Sequence, residues 1–122
     1  MLHPYPTGTV IFHTPTPMST THLSAATVSA AANVYFDGKC VSHALTMADG
    51  SKKSVGVVLA SSLVFGTAAP ETMECVAGAC EYRLPGSTEW QTSTVGQKFS
   101  VPGNTRFEIR VAEAYHYICH YE

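Results

Sequence analysis

The chain has 122 residues, of which 45% are hydrophobic and 13% are charged, and its formal net charge is -2. This length and apolar content predict one globular domain with a core of its own. The near-neutral charge argues against binding to nucleic acid, and the apolar runs are too short to span a bilayer. We therefore expect no nucleic-acid partner and no membrane partner.

The first 36 residues contain no Asp, Glu, Lys or Arg, and they hold four of the seven prolines. This part of the chain also lacks hydrophobic periodicity. We interpret residues 1–33 as a flexible N-terminal extension and residues 34–122 as the folded domain. Neither a basic region nor a long apolar region of a signal peptide is present. The sequence thus favours a cytoplasmic protein whose four cysteines stay reduced.

From residue 37 onwards, the sequence predicts short strands separated by turns and shows no helical periodicity. Turns are indicated at Asp49-Gly50, Pro85-Gly86 and Pro102-Gly103, and we interpret Gly78 as a hairpin turn. A succession of short strands with regular turns predicts an all-β barrel or jelly roll. The predicted strands are 40–47, 54–60, 62–66, 71–78, 79–84, 98–101, 106–113 and 115–121.

The last eight residues, YHYICHYE, hold metal-ligand types at close spacing. Successive side chains of a strand point to opposite faces, so Cys119 faces away from His116 and His120. The two histidines share a face but lie roughly 13 Å apart along a strand, whereas zinc–nitrogen bonds are about 2 Å long. The pattern therefore favours a strand with solvated histidines over a metal site.

Two spacings resemble the motifs of the cupin family. Gly96, five residues and Pro102 resemble the start of the second cupin motif, and Glu71 to Gly78 resembles the end of the first. A transition metal usually needs about three protein ligands, so we expect no metal and no other cofactor here. We expect instead an apolar cavity in which burial raises the pKa of Glu71. The family's four ligand positions fall at Phe65, Thr67, Glu71 and Phe107.

A closer resemblance covers residues 34–122. The segments SVGVV, FGTAAPETMECVAGACEYRLPG, FSVPGNTRFEIRV and YICHY resemble those of the pyrimidine/purine nucleoside phosphorylases, which are small single-domain cupins. The resemblance implies a broad-specificity pentosyltransferase that cleaves the N-glycosidic bond of purine and pyrimidine nucleosides. Inorganic phosphate is the co-substrate, and the products are a free base and a pentose 1-phosphate. The resemblance also implies a homodimer.

Phosphorolysis requires groups that hold phosphate, and cations are the usual choice. Lys52 and Lys53 form the best cationic pair in this sequence. An ordinary solvated hairpin tip is the alternative interpretation of this pair. Arg106 and Arg110 are further candidates, but strand alternation directs them away from the interior.

The leaving base must also be bound and protonated. Glu71 is the candidate acid or ribose-binding carboxylate, and Thr67 is expected to bind phosphate or a ribose hydroxyl. The alternatives are that Glu71 closes a turn after Pro70 and that the aromatic residues only fill the core. The aromatic candidates for contact with the nucleoside are Phe65, Trp90, Phe107 and Tyr117.

Two other functions remain open from the sequence. One is a metal-dependent cupin oxygenase or isomerase with unrecognised ligands, which needs at least two converging histidines. The other is a non-catalytic cupin that binds a nucleoside or sugar. Release of base that depends on phosphate separates this second alternative from the phosphorylase.

Overall fold

The structure is a computed structural model and describes residues 20–122. These residues form antiparallel strands and one short 3-10 turn, which confirms the predicted all-β class. No helix in residues 20–122 is long and apolar enough to cross a membrane. The strands are β1 (Ala26–Val28), β2 (Asn33–Tyr35), β3 (Cys40–Met47), β4 (Lys52–Gly66), β5 (Glu71–Arg83), β6 (Gln91–Thr94), β7 (Lys98–Val101) and β8 (Arg106–Tyr121), and the 3-10 turn is Phe36–Gly38.

Strand β8 lies at the centre of the sheet, whose order is β1-β3-β4-β8-β5-β6, with β2 on β3 and β7 on β5. It pairs with β4 along one edge and with β5 along the other. The predicted alternation of residues 106–113 is confirmed, since Phe107, Ile109 and Val111 are buried. The arginines of this strand lie on the other face. The core is completed by side chains that include Cys40, Val58, Met73, Cys75, Tyr82, Phe99, Val101 and Tyr115.

Three pairs of predicted strands are in fact single long strands, and these are β4, β8 and β5. Residues 54–60 and 62–66 belong to β4, in which the register shifts between Leu59 and Ser61. Likewise, residues 106–113 and 115–121 are both part of β8. A bulge keeps a strand continuous but changes the phase of its side chains. The alternation of apolar and polar residues is therefore interrupted at the bulge, and the sequence predicts a strand end where the strand continues.

The hairpin predicted at Gly78 is wrong. Strand β5 continues through this residue, and its register against β8 shifts between Gly78 and Glu81. The φ angle of Gly78 is +73°, and a Cβ added there would lie 2.0 Å from the carbonyl oxygen of Ala114. Glycine is required here because the backbones of β5 and β8 approach each other closely. A glycine in a strand can therefore mark a close backbone contact and not only a turn.

Part of the predicted N-terminal extension lies on the sheet. Strand β1 pairs with β3, and the backbone N–H of Ser29 donates to the carbonyl oxygen of Ala44 at 2.9 Å. Residues 26–28 are therefore a strand of the sheet, whereas residues 1–19 lie outside the described part of the chain. The domain boundary at residue 34 stays a prediction. Strand β6 was not predicted, because its sequence QTST shows no apolar alternation.

We expect Gly78→Ala to destabilise the protein by more than about 2 kcal/mol, because a left-handed conformation alone costs a non-glycine residue ~1–2 kcal/mol. The clash with Ala114 adds to that cost. Gly86→Ala is the matched control, since Gly86 has a φ angle of +76° but no atom within 4 Å of an added Cβ. Urea unfolding of both variants measures the difference. Equal losses of stability would show that the close approach of β5 to β8 is not tight in solution.

Candidate active site

A cavity of about 280 Å³ lies inside the barrel, between the β2–β3 hairpin and strands β4, β5 and β8. Among its described lining residues Glu71 is the only carboxylate, and none is Lys or Arg. A larger cavity of about 640 Å³ lies on the outer side of β3 and β4, under residues 20–28, and its lining carries no carboxylate. The inner cavity is the candidate site because it contains Glu71. Its aromatic lining residues are Tyr35, Phe36, Phe65, Phe107, Tyr117 and Tyr121.

Two predicted aromatic residues form the floor of the inner cavity. Phe65 of β4 lies directly opposite Phe107 of β8 in the strand register. Their ring centroids are 5.6 Å apart, and the ring planes are inclined by only 23°. Phe107 is fully buried, whereas Phe65 is partly accessible. The structure thus brings these two ligand positions of the cupin motif together as a stacked apolar pair.

Glu71 enters the same cavity from the first position of β5, opposite Tyr121 of β8. Burial raises the pKa of Glu71, and a hydrogen bond with Cys119 partly offsets this shift. Burial and the neighbouring Glu71 charge raise the pKa of the Cys119 thiol to about 12. The thiol therefore stays protonated and donates to the carboxyl group. The direction of the shift for Glu71 is the one expected from the sequence.

Hydroxyl groups complete the wall of the cavity. A Cβ added to Gly56, which is opposite Tyr117, would lie 2.7 Å from the tyrosine hydroxyl, so glycine makes room for this ring. The hydroxyls of Tyr121 and Ser54 are 3.0 Å apart. Burial raises the pKa values of Tyr117 and Tyr121, so both remain O–H donors. Tyr121 was missed, although it shares the parity of Tyr117 in the sequence.

Thr67 does not lie where the sequence predicted. Its hydroxyl donates to the carbonyl oxygen of Pro102 at 2.7 Å and accepts from the backbone N–H of Thr105 at 3.1 Å. These bonds tie the end of β4 to the turn between β7 and β8. Because its one proton is already donated, Thr67 serves this turn and is not a donor in the cavity.

The two candidate lysines are on opposite sides of the sheet. Adjacent residues of a strand face opposite ways, so Lys52 shares the inner face with Ser54 and Lys53 faces outwards. The ammonium group of Lys53 lies 2.7 Å from Nδ1 of His120, and that of Lys52 donates to Thr46 at 2.9 Å. Neither lysine lines the cavity, and Lys52 is the one that shares the inner face of β4 with Ser54.

Trp90 lies outside the barrel, not in the cavity. Its ring is flanked by two guanidinium groups, with Cζ of Arg110 at 4.0 Å and Cζ of Arg83 at 4.8 Å from the ring centroid. Arg110 donates to Glu81 at 3.0 Å, and Arg83 donates to Glu108 at 2.7 Å. Trp90 therefore packs in an outer cation–π cluster, which corrects its assignment as a residue for stacking with the nucleoside.

His120 is not simply solvated, as the sequence suggested. Its Nε2 lies 2.8 Å from the buried carboxylate of Glu74, whose side chain is only 5% exposed. Although burial opposes it, hydrogen bonds from Thr20 and His120 and the charge of Lys98 lower the pKa of Glu74. This outer cluster is a structural ion-pair network. Within residues 20–122, no group of three or more His, Cys, Asp and Glu side chains is arranged to hold a metal ion.

An antiparallel barrel around one small apolar cavity defines the chain as a small single-domain cupin. The EutQ protein of Clostridium difficile shares this fold at 11% identity, with a TM-score of 0.55 over 66% of this chain and 59% of that one. The chain belongs to the pyrimidine/purine nucleoside phosphorylase family, since the sequence model of the family matches residues 30–121.

Similar proteins agree with this assignment. A protein named pyrimidine/purine nucleoside phosphorylase from Albidiferax ferrireducens is 64% identical over 104 residues, which cover 85% of this chain and 99% of that protein. A crystal structure of a protein of unknown function from Acinetobacter sp. ADP1 is 41% identical, with a TM-score of 0.82. It covers 84% of this chain and 100% of that one.

The raised pKa of Glu71 predicts a pH-dependent stability. Between its ordinary value, 4.5, and the raised value, the folded protein binds more protons than the unfolded chain, so stability falls as pH rises. The Glu71→Gln variant does not lose stability in this way, because glutamine does not titrate. We therefore expect the Tm of Glu71→Gln minus that of the wild type to increase as pH rises through this interval.

Glu81→Gln is the control with the opposite sign, because the hydrogen bond from Arg110 lowers the pKa of Glu81. The wild type gains stability from this group as pH rises, so the Tm of Glu81→Gln minus that of the wild type should decrease. Thermal melts of the three proteins check both signs, above pH 4.5 for Glu71 and below pH 4.5 for Glu81, whose lowered pKa places its window there. A pH-independent Tm difference for Glu71→Gln would show that Glu71 is solvated.

Proposed function

We propose that this protein cleaves purine and pyrimidine nucleosides with inorganic phosphate and releases a free base and a pentose 1-phosphate. The observation that carries the proposal is the inner cavity, where the protonatable Glu71 stands beside the stacked pair of Phe65 and Phe107. Relatives at 64% identity bear the name of this activity, which supports the same conclusion.

In the proposed reaction, a phosphate oxygen forms a bond to C1′ of the pentose as the bond from C1′ to the base nitrogen breaks. The electron pair of the broken bond leaves with the base. Glu71, whose pKa is raised by burial, donates a proton to the base and recovers one from the hydrogen phosphate. The net result transfers one proton from phosphate to base and one pentosyl group from base to phosphate.

The aromatic floor suits a nucleoside of either class. Every base has a π face, and stacking on an aromatic side chain is worth ~1–3 kcal/mol without regard to sequence. Phe65 and Phe107 offer such a surface, and the hydroxyl of Tyr117 lies on the same side of β8 as Phe107. Stacking depends on the flat face of the base and not on its ring substituents, so this aromatic surface supports broad base specificity.

Phosphate must be held without a cation from the described cavity lining. Among the candidate cations, Lys52 is the best placed to bind phosphate, because it shares the inner face of β4 with Ser54. It is the residue before Lys53, which pairs with His120 in the strand register. Tyr121 lies opposite Glu71 in the strand register, and its hydroxyl is 3.0 Å from that of Ser54. We infer that phosphate enters from this end of the cavity.

Three further expectations remain proposals. They are a homodimer, a cytoplasmic location and the use of phosphate as a co-substrate with no other cofactor. Support for the last comes from the ligand positions of the cupin motif, where Phe65 and Phe107 offer no donor to a metal. All four cysteines are free thiols, which fits a reducing compartment.

The direct test is incubation of the purified protein with a panel of purine and pyrimidine nucleosides, with and without phosphate. We expect free base and pentose 1-phosphate only when phosphate is present, and no loss of rate after treatment with a chelator. Release of base without phosphate would indicate a hydrolase. No release in either condition would favour a binding protein, and rescue of a chelated enzyme by a divalent ion would favour a metal cupin.

In the same assay, Glu71→Gln should lower kcat and kcat/KM together, by roughly 10²–10⁴-fold, because general acid catalysis acts mainly in the transition state. A rise in KM at unchanged kcat would instead mean that Glu71 binds the ribose. Normal turnover would leave Glu71 as the residue that follows the Pro70 turn.

The lysines provide a matched pair for the phosphate site. We expect Lys52→Ala to raise the KM for phosphate by about 10-fold or more, since a hydrogen bond to a charged group contributes ~1.5–3 kcal/mol. Lys53→Ala should leave this KM unchanged, because Lys53 bonds to His120 on the outer face. Steady-state kinetics at varied phosphate measure both. The opposite pattern would place the phosphate site on the outer side of the sheet.

A further inference from the structure

The hairpin between β2 and β3 holds a bulky residue in an unfavourable backbone conformation. Phe36 has a φ angle of +53°, and the next residue, Asp37, has a φ angle of +55°. Residues other than glycine rarely adopt positive φ, and for a bulky aromatic residue it is a true outlier. Such residues cluster at functional sites, where the surrounding structure maintains them.

Packing of Phe36 does not compensate for this conformation, because its side chain is 44% exposed. The turn is instead held by its ends. The backbone of Tyr35 pairs with Cys40, and the backbone N–H of Lys39 donates to the carbonyl oxygen of Phe36 at 3.1 Å. At positive φ, Asn or Gly would form this hairpin more easily than phenylalanine. The ring itself therefore needs an explanation.

The ring of Phe36 lies at the inner cavity. Its centroid is 5.4 Å from that of Phe65, and the two planes are nearly perpendicular at 80°. Phe65 in turn stacks on Phe107. Phe36 and Phe65 thus form an aromatic corner, in which a flat heterocycle can stack on one ring and meet the edge of the other. Glu71 lines the same cavity.

We propose that Phe36 is a base-binding residue, which the strained hairpin holds against Phe65 to receive the heterocycle of a nucleoside. The inference rests on the proposed function and adds a residue to its site. A purine overlaps a ring face more than a pyrimidine does, so Phe36 contributes more to the binding of purine nucleosides. It thereby sets the preference between the two classes of base.

The test compares Phe36→Leu with Phe36→Tyr. Leu keeps an apolar side chain but removes the ring, so we expect kcat/KM to fall about 10-fold for purine nucleosides, mainly through KM, and less for pyrimidine nucleosides. The KM for phosphate should not change, and Phe36→Tyr should retain wild-type values. Val34→Ala is the control, since Val34 is exposed on the same hairpin outside the cavity.

Wild-type kcat/KM in Phe36→Leu, or an equal loss for both base classes, would overturn the proposal and leave Phe36 as a hairpin residue. If Phe36→Leu does not fold, Phe36→Gly replaces it, because glycine adopts positive φ freely.

Calorimetric titration with adenine and with uracil separates this inference from the phosphorylase itself. If the wild type shows no turnover but binds adenine, and Phe36→Leu binds it more weakly, the activity is wrong and the role of Phe36 stands. If the wild type does not bind adenine, or the variant binds it equally well, the role of Phe36 fails.

Discussion

The pairing of β8 on both of its edges is the constraint on which the site depends. Because β4 and β5 hold this strand in a fixed register on either side of its bulges, alternate side chains of each regular segment enter the barrel. Phe107, Tyr117 and Tyr121 consequently meet residues of β4 and β5 across the cavity. A shift of one residue would replace them with Arg106, His116 and His120. The same register therefore fixes the apolar interior and keeps the ionic groups outside.

The strands that depend on simple alternation were predictable from the sequence, and those with bulges were not. Residues 106–111 alternate without interruption, and their faces were assigned correctly. Gly78 was misread because glycine with positive φ serves both hairpins and places where two backbones nearly touch, and only the position of Ala114 distinguishes the two. Strand β1 was missed because a strand of three residues is stabilised mainly by its neighbour, which the local sequence does not reveal.

The candidate site was predictable where motif spacing coincides with strand register. Phe65 and Phe107 occupy ligand positions of the two cupin motifs, and the strand register places these two positions directly opposite each other. The assignment of Lys52 and Lys53 as a pair conflicted with the alternation rule, which places neighbours on opposite faces. Phe36 gave no signal in the sequence, because its proposed role is inferred from a backbone angle that its residue type disfavours.

The protonation of Glu71 links binding to chemistry in the proposed reaction. Two unit charges 4 Å apart interact by about 4 kcal/mol at an effective dielectric constant of 20. An ionised Glu71 would therefore repel phosphate strongly in a cavity whose described lining has no cation. The neutral acid avoids this repulsion and carries the proton that the base needs in the proposed reaction, and burial raises the pKa of Glu71 in that direction. In the proposed reaction the same cavity lining suits both substrates: the rings of Phe65 and Phe107 stack on the base, and a neutral carboxyl group does not repel the anion.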